Sequence, residues 1–307
     1  MSNKSKIAEF LLQGITNNTQ GFQILHFVLF LAIYLAGLGG NIFIIITIAL
    51  NHRLHTPMYF FLMNLSIVDL GSISVTLPKA MSNSIMNSQS ISYGECAAQM
   101  FFFLFFMTSD FSLLTVMAYD RYKAICDPLH YESLMDKIAC LRMACGVWIS
   151  GFLNAAFHTA GTFSLNFCSN IIHHLFCEIP QLLELSCSDG YGGETVFIAM
   201  SAGLVLGCFV FIITSYVHIF AAVLRVPSVQ GRHKAFSTCI PHLIVVSMFV
   251  CSGIITYLRS IARSASDLDL VSALLYSVLS PVTNPVIYTM RNKDIKTAFQ
   301  MLLNGKI

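Results

Sequence analysis

Seven runs of apolar residues, each long enough to cross a lipid bilayer, constrain this chain more than any other feature. A spanning helix needs roughly 20 predominantly apolar residues. Such runs lie near 24–50, 58–80, 97–119, 139–163, 195–224, 235–258 and 268–290. Lipid cannot satisfy open backbone groups, and the runs are too long for barrel strands, so helices are the expected form. Composition agrees, with 56% hydrophobic and only 10% charged residues in 307. A soluble domain usually carries about a quarter charged residues. A net charge of +2 argues against a nucleic-acid partner. The expectation is an all-α membrane protein: a single domain over 1–307 built as a seven-transmembrane helix bundle, with the lipid bilayer as its first partner.

Seven spans put the chain ends on opposite sides, and the loops say which is which. One alternate set holds Arg53, Arg121, Lys123, Lys137, Arg142, Arg225, Arg232, Lys234, Arg291, Lys293, Lys296 and Lys306. The other holds Lys4, Lys6, Lys79, Arg259 and Arg263. The positive-inside rule then predicts an extracellular N-terminus over 1–23, a bundle over 24–290 and a cytoplasmic tail over 291–307. The polar start, Met1 to Gln20, has no hydrophobic core behind a basic flank, so no cleavable signal peptide is expected and the first run acts as the targeting signal. Asn3 and Asn17 head glycosylation triplets on the side assigned outside, whereas Asn64 heads one inside the second run. Linkers are short at His52–Thr56, Ser82–Glu95, Asp127–Lys137, Pro227–His233 and Arg259–Asp267, and only Ser164–Glu194 has room for structure. Four of ten cysteines, Cys96, Cys168, Cys177 and Cys187, fall outside, where disulfides persist. They allow three pairings, which spacing does not decide. A bridge from Cys96 to the long loop would close a ring of about 80 residues, worth roughly 4 kcal/mol. Beyond Arg291, Ile295, Phe299 and Leu302 recur at helical spacing opposite Lys293 and Lys296, which predicts a short amphipathic C-terminal helix on the inner surface.

Charge inside an apolar run costs on the order of 3 kcal/mol and calls for a functional reason. Asp69 lies in the second run and Asp110 in the third. If the helices touch, the pair makes an acidic site suited to a hard cation such as Na⁺ or to a shared proton, with Asn41, Ser66, Ser112 and Asn284 as candidate shell. Asp120, Arg121 and Lys123 close the third run in Met117-Ala-Tyr-Asp-Arg-Tyr-Lys-Ala-Ile-Cys126, where a helix meets water. There an arginine can hold an acid in one state and release it in another. Pro241, Pro281 and Pro285 lie inside the last two runs, where each removes a helical hydrogen bond. No phosphate loop, metalloprotease motif or nucleophile elbow occurs. The nearest thing to a metal set is His173, His174, Cys177 and Glu178, a poor match, so no metal, no cofactor beyond a candidate Na⁺ and no catalytic residue are expected.

Motifs lie along the whole chain: Leu54-His-Thr-Pro-Met-Tyr-Phe-Phe-Leu62, Met117-Ala-Tyr-Asp-Arg-Tyr122 with Ala-Ile-Cys-Asp-Pro-Leu-His-Tyr131, Ser215-Tyr216, Lys234-Ala-Phe-Ser-Thr-Cys-Ile-Pro-His-Leu243, and Pro281-Val-Thr-Asn-Pro-Val-Ile-Tyr288 running into Arg291-Asn-Lys293. In this order they resemble the rhodopsin-like (class A) G-protein-coupled receptors, and more closely the olfactory (odorant) receptors. The resemblance implies bridges Cys96–Cys177 and Cys168–Cys187. It implies a G-protein-facing switch of Asp120, Arg121 and Tyr122, with Asp120 restraining Arg121 and Tyr216 and Tyr288 as inward-moving partners. It makes Asp69 with Asp110 the ion site, the family commonly having Glu where Asp110 stands. It further implies a stimulatory heterotrimeric G protein raising cAMP, trafficking accessory proteins, and a plasma-membrane address in olfactory cilia. Two departures stand out: Lys123 replaces the usual apolar residue, and Val250-Cys251 follows Phe249 where Tyr-Gly is frequent.

A pocket opening outward would use the outer halves of the third, fifth, sixth and seventh runs. Phe103, Leu104, Met107 and Thr108 share one helical face. Met200, Leu204, Ile254, Tyr257 and Leu274 could complete a lining that is apolar, with two hydroxyls and no central charge. That lining favours a small, neutral, volatile odorant held by apolar burial, at roughly 25 cal/mol per Å². The competing reading is a transporter or channel relaying ions through Asp69 and Asp110; it would call for inverted repeats and broken helices, which the sequence lacks. An intramembrane enzyme would need a nucleophile–base pair, and none can be named.

Overall fold

The computed structural model describes residues 8–12, 20–86, 89–172, 175–187, 192–225, 228–261, 267–291 and 293–303; side chains at several positions within them, Tyr257 among them, lie outside the description. Seven long helices form a bundle: α1 Gln20–Leu50, α2 Pro57–Met86, α3 Tyr93–Cys126, α5 Lys137–Phe163, α7 Gly192–Leu224, α8 Val229–Ile261 and α9 Asp267–Arg291. Between and after them come the short α4 Tyr131–Leu134 and α6 Ile179–Glu184, and the terminal α10 Lys293–Leu303. Among the described residues, six of the long helices are apolar and long enough to cross a membrane, all but α9. The chain is therefore read as a multi-pass membrane protein.

The helices outrun the apolar segments. α3 has 34 residues, about 51 Å at 1.5 Å per residue, against a hydrocarbon core of about 30 Å. Hydropathy reports only the part in lipid; capping decides the ends. Ser92 Oγ accepts from the Glu95 amide at 3.2 Å while Glu95 Oε2 accepts from the Ser92 amide at 3.0 Å, a reciprocal cap that starts α3 inside the expected linker. Asp136 caps α5 through the Ala139 amide at 2.7 Å. Ser82–Met86, Tyr93–Glu95, Val229–His233 and Arg259–Ile261, expected as linker, are helical, and α1 begins at Gln20.

α3 is the central helix, packed against α2, α5, α7 and α8, while α9 closes the ring against α1, α2 and α8. The α1–α9 joint follows from two prolines. Pro285 has no amide proton to give the carbonyl of Pro281 one turn back. Asn41 Nδ2 donates to that carbonyl instead, at 2.8 Å. This approach needs Gly40, because a Cβ there would lie 2.8 Å from the Pro285 ring. α10 buries Ile295 and Ala298 and leaves Lys296 exposed, and Tyr59 OH donates to Asp294 Oδ2 at 3.2 Å, tying it to the start of α2.

The Cys96 end carries a cap. β1 Glu9–Leu12 lies between β2 Ser90–Ser92, antiparallel with Phe10 opposite Ile91, and β3 Ile171–Ile172, parallel with Leu11 opposite Ile171. Phe10 is wholly buried, stacked 6.0 Å from Tyr93 and edge-on to Phe167 at 5.5 Å. Cys96 is bridged to Cys177 and Cys168 to Cys187. Gln99 Oε1 accepts from the Cys177 amide at 3.0 Å, which seats the long loop on the top of α3.

Candidate functional site

At the opposite end of α3, Arg121 is buried, and Nη1 donates to Tyr216 OH on α7 at 3.5 Å. The bond continues. Tyr216 OH meets His242 Nδ1 on α8 at 2.8 Å, and His242 Nε2 meets the Leu114 carbonyl at 3.0 Å. A carbonyl only accepts, so His242 Nε2 donates; in the neutral ring Nδ1 then accepts the Tyr216 proton, leaving the Tyr216 oxygen to accept from arginine. One directional chain thus joins α3, α7 and α8. His242 belongs to the motif at 234–243, but the motif alone assigns it no role, because a histidine in an apolar run gives no sign of what it faces. Tyr288 is buried close by, and its hydroxyl makes no hydrogen bond among the described residues.

Asp120, expected to restrain Arg121, accepts from Tyr131 OH at 2.7 Å. Burial, and then the Asp120 carboxylate, push the Tyr131 phenol well above its ordinary value, so it stays a donor. Lys123 Nζ sits 3.3 Å from Asp127 Oδ2 and lies over the rings of Tyr119 and Tyr122, at 5.9 and 5.7 Å. His130 binds the other Asp127 oxygen at 2.8 Å, and these partners hold that carboxyl below its ordinary value, the His130 bond contributing most.

Midway along the bundle, Asn284 Nδ2 donates to Asp69 Oδ2 and to Ser280 Oγ, both at 3.0 Å, and Ser280 donates to Asp110 Oδ2 at 3.2 Å. The two acids therefore share one network. Its members differ from the expected shell: Ser280 enters, while Asn41, Ser66 and Ser112 make no described bond to either acid, Asn41 being spent on the carbonyls of Gly37 and Pro281. Asp69 Oδ1, Asp110 Oδ1 and Asn284 Oδ1 are buried oxygens without a described partner.

Between this network and the cap, Phe103 and Met107 are buried and Leu104, Thr108 and Leu274 half-buried. Met200, Leu204 and Ile254 are not in this space. They are 66%, 55% and 53% exposed, on helix faces turned away from the bundle. α7 is apolar on every face, so hydropathy could not tell its lipid side from its bundle side. The inward side chains are a run of rings: Phe176 lies 6.4 Å from Phe103, Phe103 6.1 Å from Tyr276, Tyr276 6.3 Å from Phe249, and Phe249 stacks on Phe111 at 5.3 Å. Val250 is half-buried beside this run and Cys251 exposed. The side chain of Tyr257, the glycosylation triplets at Asn3 and Asn17, and His173 and His174 lie outside the described residues.

The architecture matches squid rhodopsin, at a TM-score of 0.74 over 94% of this chain and 87% of that one, with 16% identity, which speaks for the fold alone. The family model described as olfactory receptor matches residues 30–306. The chain belongs to the olfactory receptor family. Human olfactory receptor 14A16 is 48% identical over 100% of this chain and 99% of its own. Human olfactory receptor 14I1 is 49% identical over 98% and 97%. This is a family of receptors and not of enzymes, which removes catalysis as a reading of the buried acids.

Proposed function

We propose that this chain is an odorant receptor, binding a small, neutral, mostly apolar molecule and activating a stimulatory heterotrimeric G protein that raises cAMP. The observation that carries it is the chain from Arg121 through Tyr216 and His242 to Leu114, which joins three helices at the end where Arg121 sits. Such a chain has a made and an unmade state, which a two-state switch requires. The rings from Phe176 to Phe111 give a ligand a physical route to α8, because a molecule packed among Phe103, Met107, Tyr276 and Phe249 bears on the helix that carries His242. The ligand must bind the active arrangement more tightly than the resting one, since equal affinity shifts nothing. The N-terminus faces outward and the Arg121 end the cytoplasm, in keeping with the loop charges, at a plasma membrane reached with accessory proteins and, in sensory neurons, in cilia.

Arg121→Ala should abolish basal and ligand-driven cAMP at unchanged surface level; retained signalling would sink the proposal, and charge movement without a G protein would favour a transporter. The oxygens of Asp69, Asp110 and Asn284 that have no partner among the described residues fit a hard cation, because two carboxylates and an amide oxygen are its preferred donors. Asp69→Asn and Asp110→Asn should each alter basal cAMP and flatten its response to Na⁺, and unchanged behaviour in both variants would rule the ion out.

A further inference from the structure

A second polar chain lies at mid-depth, away from the switch. Asn154 Nδ2 on α5 donates to Thr108 Oγ1 on α3 at 2.9 Å. Ser201 Oγ on α7 donates to Asn154 Oδ1 at 2.8 Å, and His158 Nε2 meets Ser201 Oγ at 2.8 Å. The direction follows from proton counting. Ser201 has one proton and spends it on Asn154, so His158 Nε2 supplies the other bond. Thr108 is left accepting from Asn154 with its own proton unspent: among the described residues that hydroxyl has no acceptor. Two neighbours on α3 behave differently. Ser109 and Thr115 return their protons to the carbonyls of Phe105 and Phe111, at 2.7 and 2.9 Å. Thr108 is half-buried, one turn beyond Leu104 and next to the buried Met107.

Resting on the receptor reading above, we infer that Thr108, polarised by the Asn154–Ser201–His158 chain, donates its hydroxyl proton to the odorant, so that the receptor selects neutral molecules carrying a hydrogen-bond acceptor such as a ketone or ester over hydrocarbons of the same shape. The chain makes this selective. A hydroxyl that accepts from an amide N–H becomes a better donor of its own proton, and an apolar site that must leave that proton unpaired rejects a ligand with nothing to receive it. Asn154, Ser201 and His158 are positioning residues: they set the polarity of Thr108 without needing to touch the ligand.

The test uses the full receptor in cells with its G protein, reading cAMP for medium-sized ketones and esters, each beside its matched hydrocarbon. Ketones and esters should be at least about ten-fold more potent than their hydrocarbons, the worth of one hydrogen bond of about 1.4 kcal/mol. Thr108→Val should close that gap at unchanged surface level, Thr108→Ser should restore it, and Asn154→Leu should narrow it. A purely structural tie would lower surface level without moving the ratio. If Thr108→Val is retained inside the cell, Thr108→Ala carries the same comparison. Equal potency of ketone and hydrocarbon, an undiminished gap without the hydroxyl, or silence of every ketone and ester on cells with Arg121-dependent basal cAMP would each overturn the inference. Absence of Arg121-dependent cAMP from protein at the surface would count against the receptor reading itself, and this one with it.

Discussion

Glu178 lies buried in the cap one residue beyond the Cys177 bridge, and burial pushes its carboxyl from 4.5 up to about 7. The folded protein therefore holds a proton there between pH 4.5 and about 7, which the unfolded chain has already lost. Folding takes up that proton, so this contribution to stability is full below about pH 4.5, falls as pH rises through the window, and is flat above about 7. The whole swing is at most about 3 kcal/mol. Glu178→Gln should remove it, raising the thermal midpoint of purified receptor above the window and leaving it little changed below. An unaltered pH slope in the variant would mean another group titrates. The structure spends Lys123 locally, on Asp127 and two tyrosine rings, an arrangement open enough to water to add little to stability.

Among the elements, β1 is a strand of four residues that alternates exposed and buried. Phe10 and Leu12 turn inward under the cap, while Leu11 is 41% exposed. Removing a fully buried phenylalanine costs about 3–5 kcal/mol, and trimming an exposed leucine under about half of one. Phe10→Ala should therefore lower thermal stability and surface level, with Leu11→Ala close to wild type. Equal effects would mean that β1 does not hold the cap. This strand was not legible beforehand, because its partners are 80 and 160 positions away along the chain and its own residues are too few to show a period. α10 was legible, because an amphipathic pattern over three turns needs no partner to be seen.

For the whole molecule, the two disulfides act on different scales. Cys96–Cys177 spans 81 residues and ties the long loop to the central helix, whereas Cys168–Cys187 spans 19 within that loop. In the chain-entropy picture the first contributes about 4–5 kcal/mol and the second about 3. Cys96→Ser should hold most of the protein inside the cell and Cys168→Ser less, measured by surface labelling of an N-terminal tag; the reverse order would contradict the staple. The sequence by itself determined the class, the seven crossings, the terminal helix and the family. Each of these rests on one-dimensional quantities: the length of apolar runs, the sign of loop charges and the order of local motifs. Only the tertiary structure decided which face of each helix turns inward, and with it the outward turn of Met200, Leu204 and Ile254, the ring contacts of Tyr276 and Phe249, the place of Ser280 between two acids, and the partners of His242 and Asn154. Lipid and bundle interior are both apolar, so a spanning helix can be hydrophobic all round. Its phase is set by what its neighbours present, and no single helix encodes that.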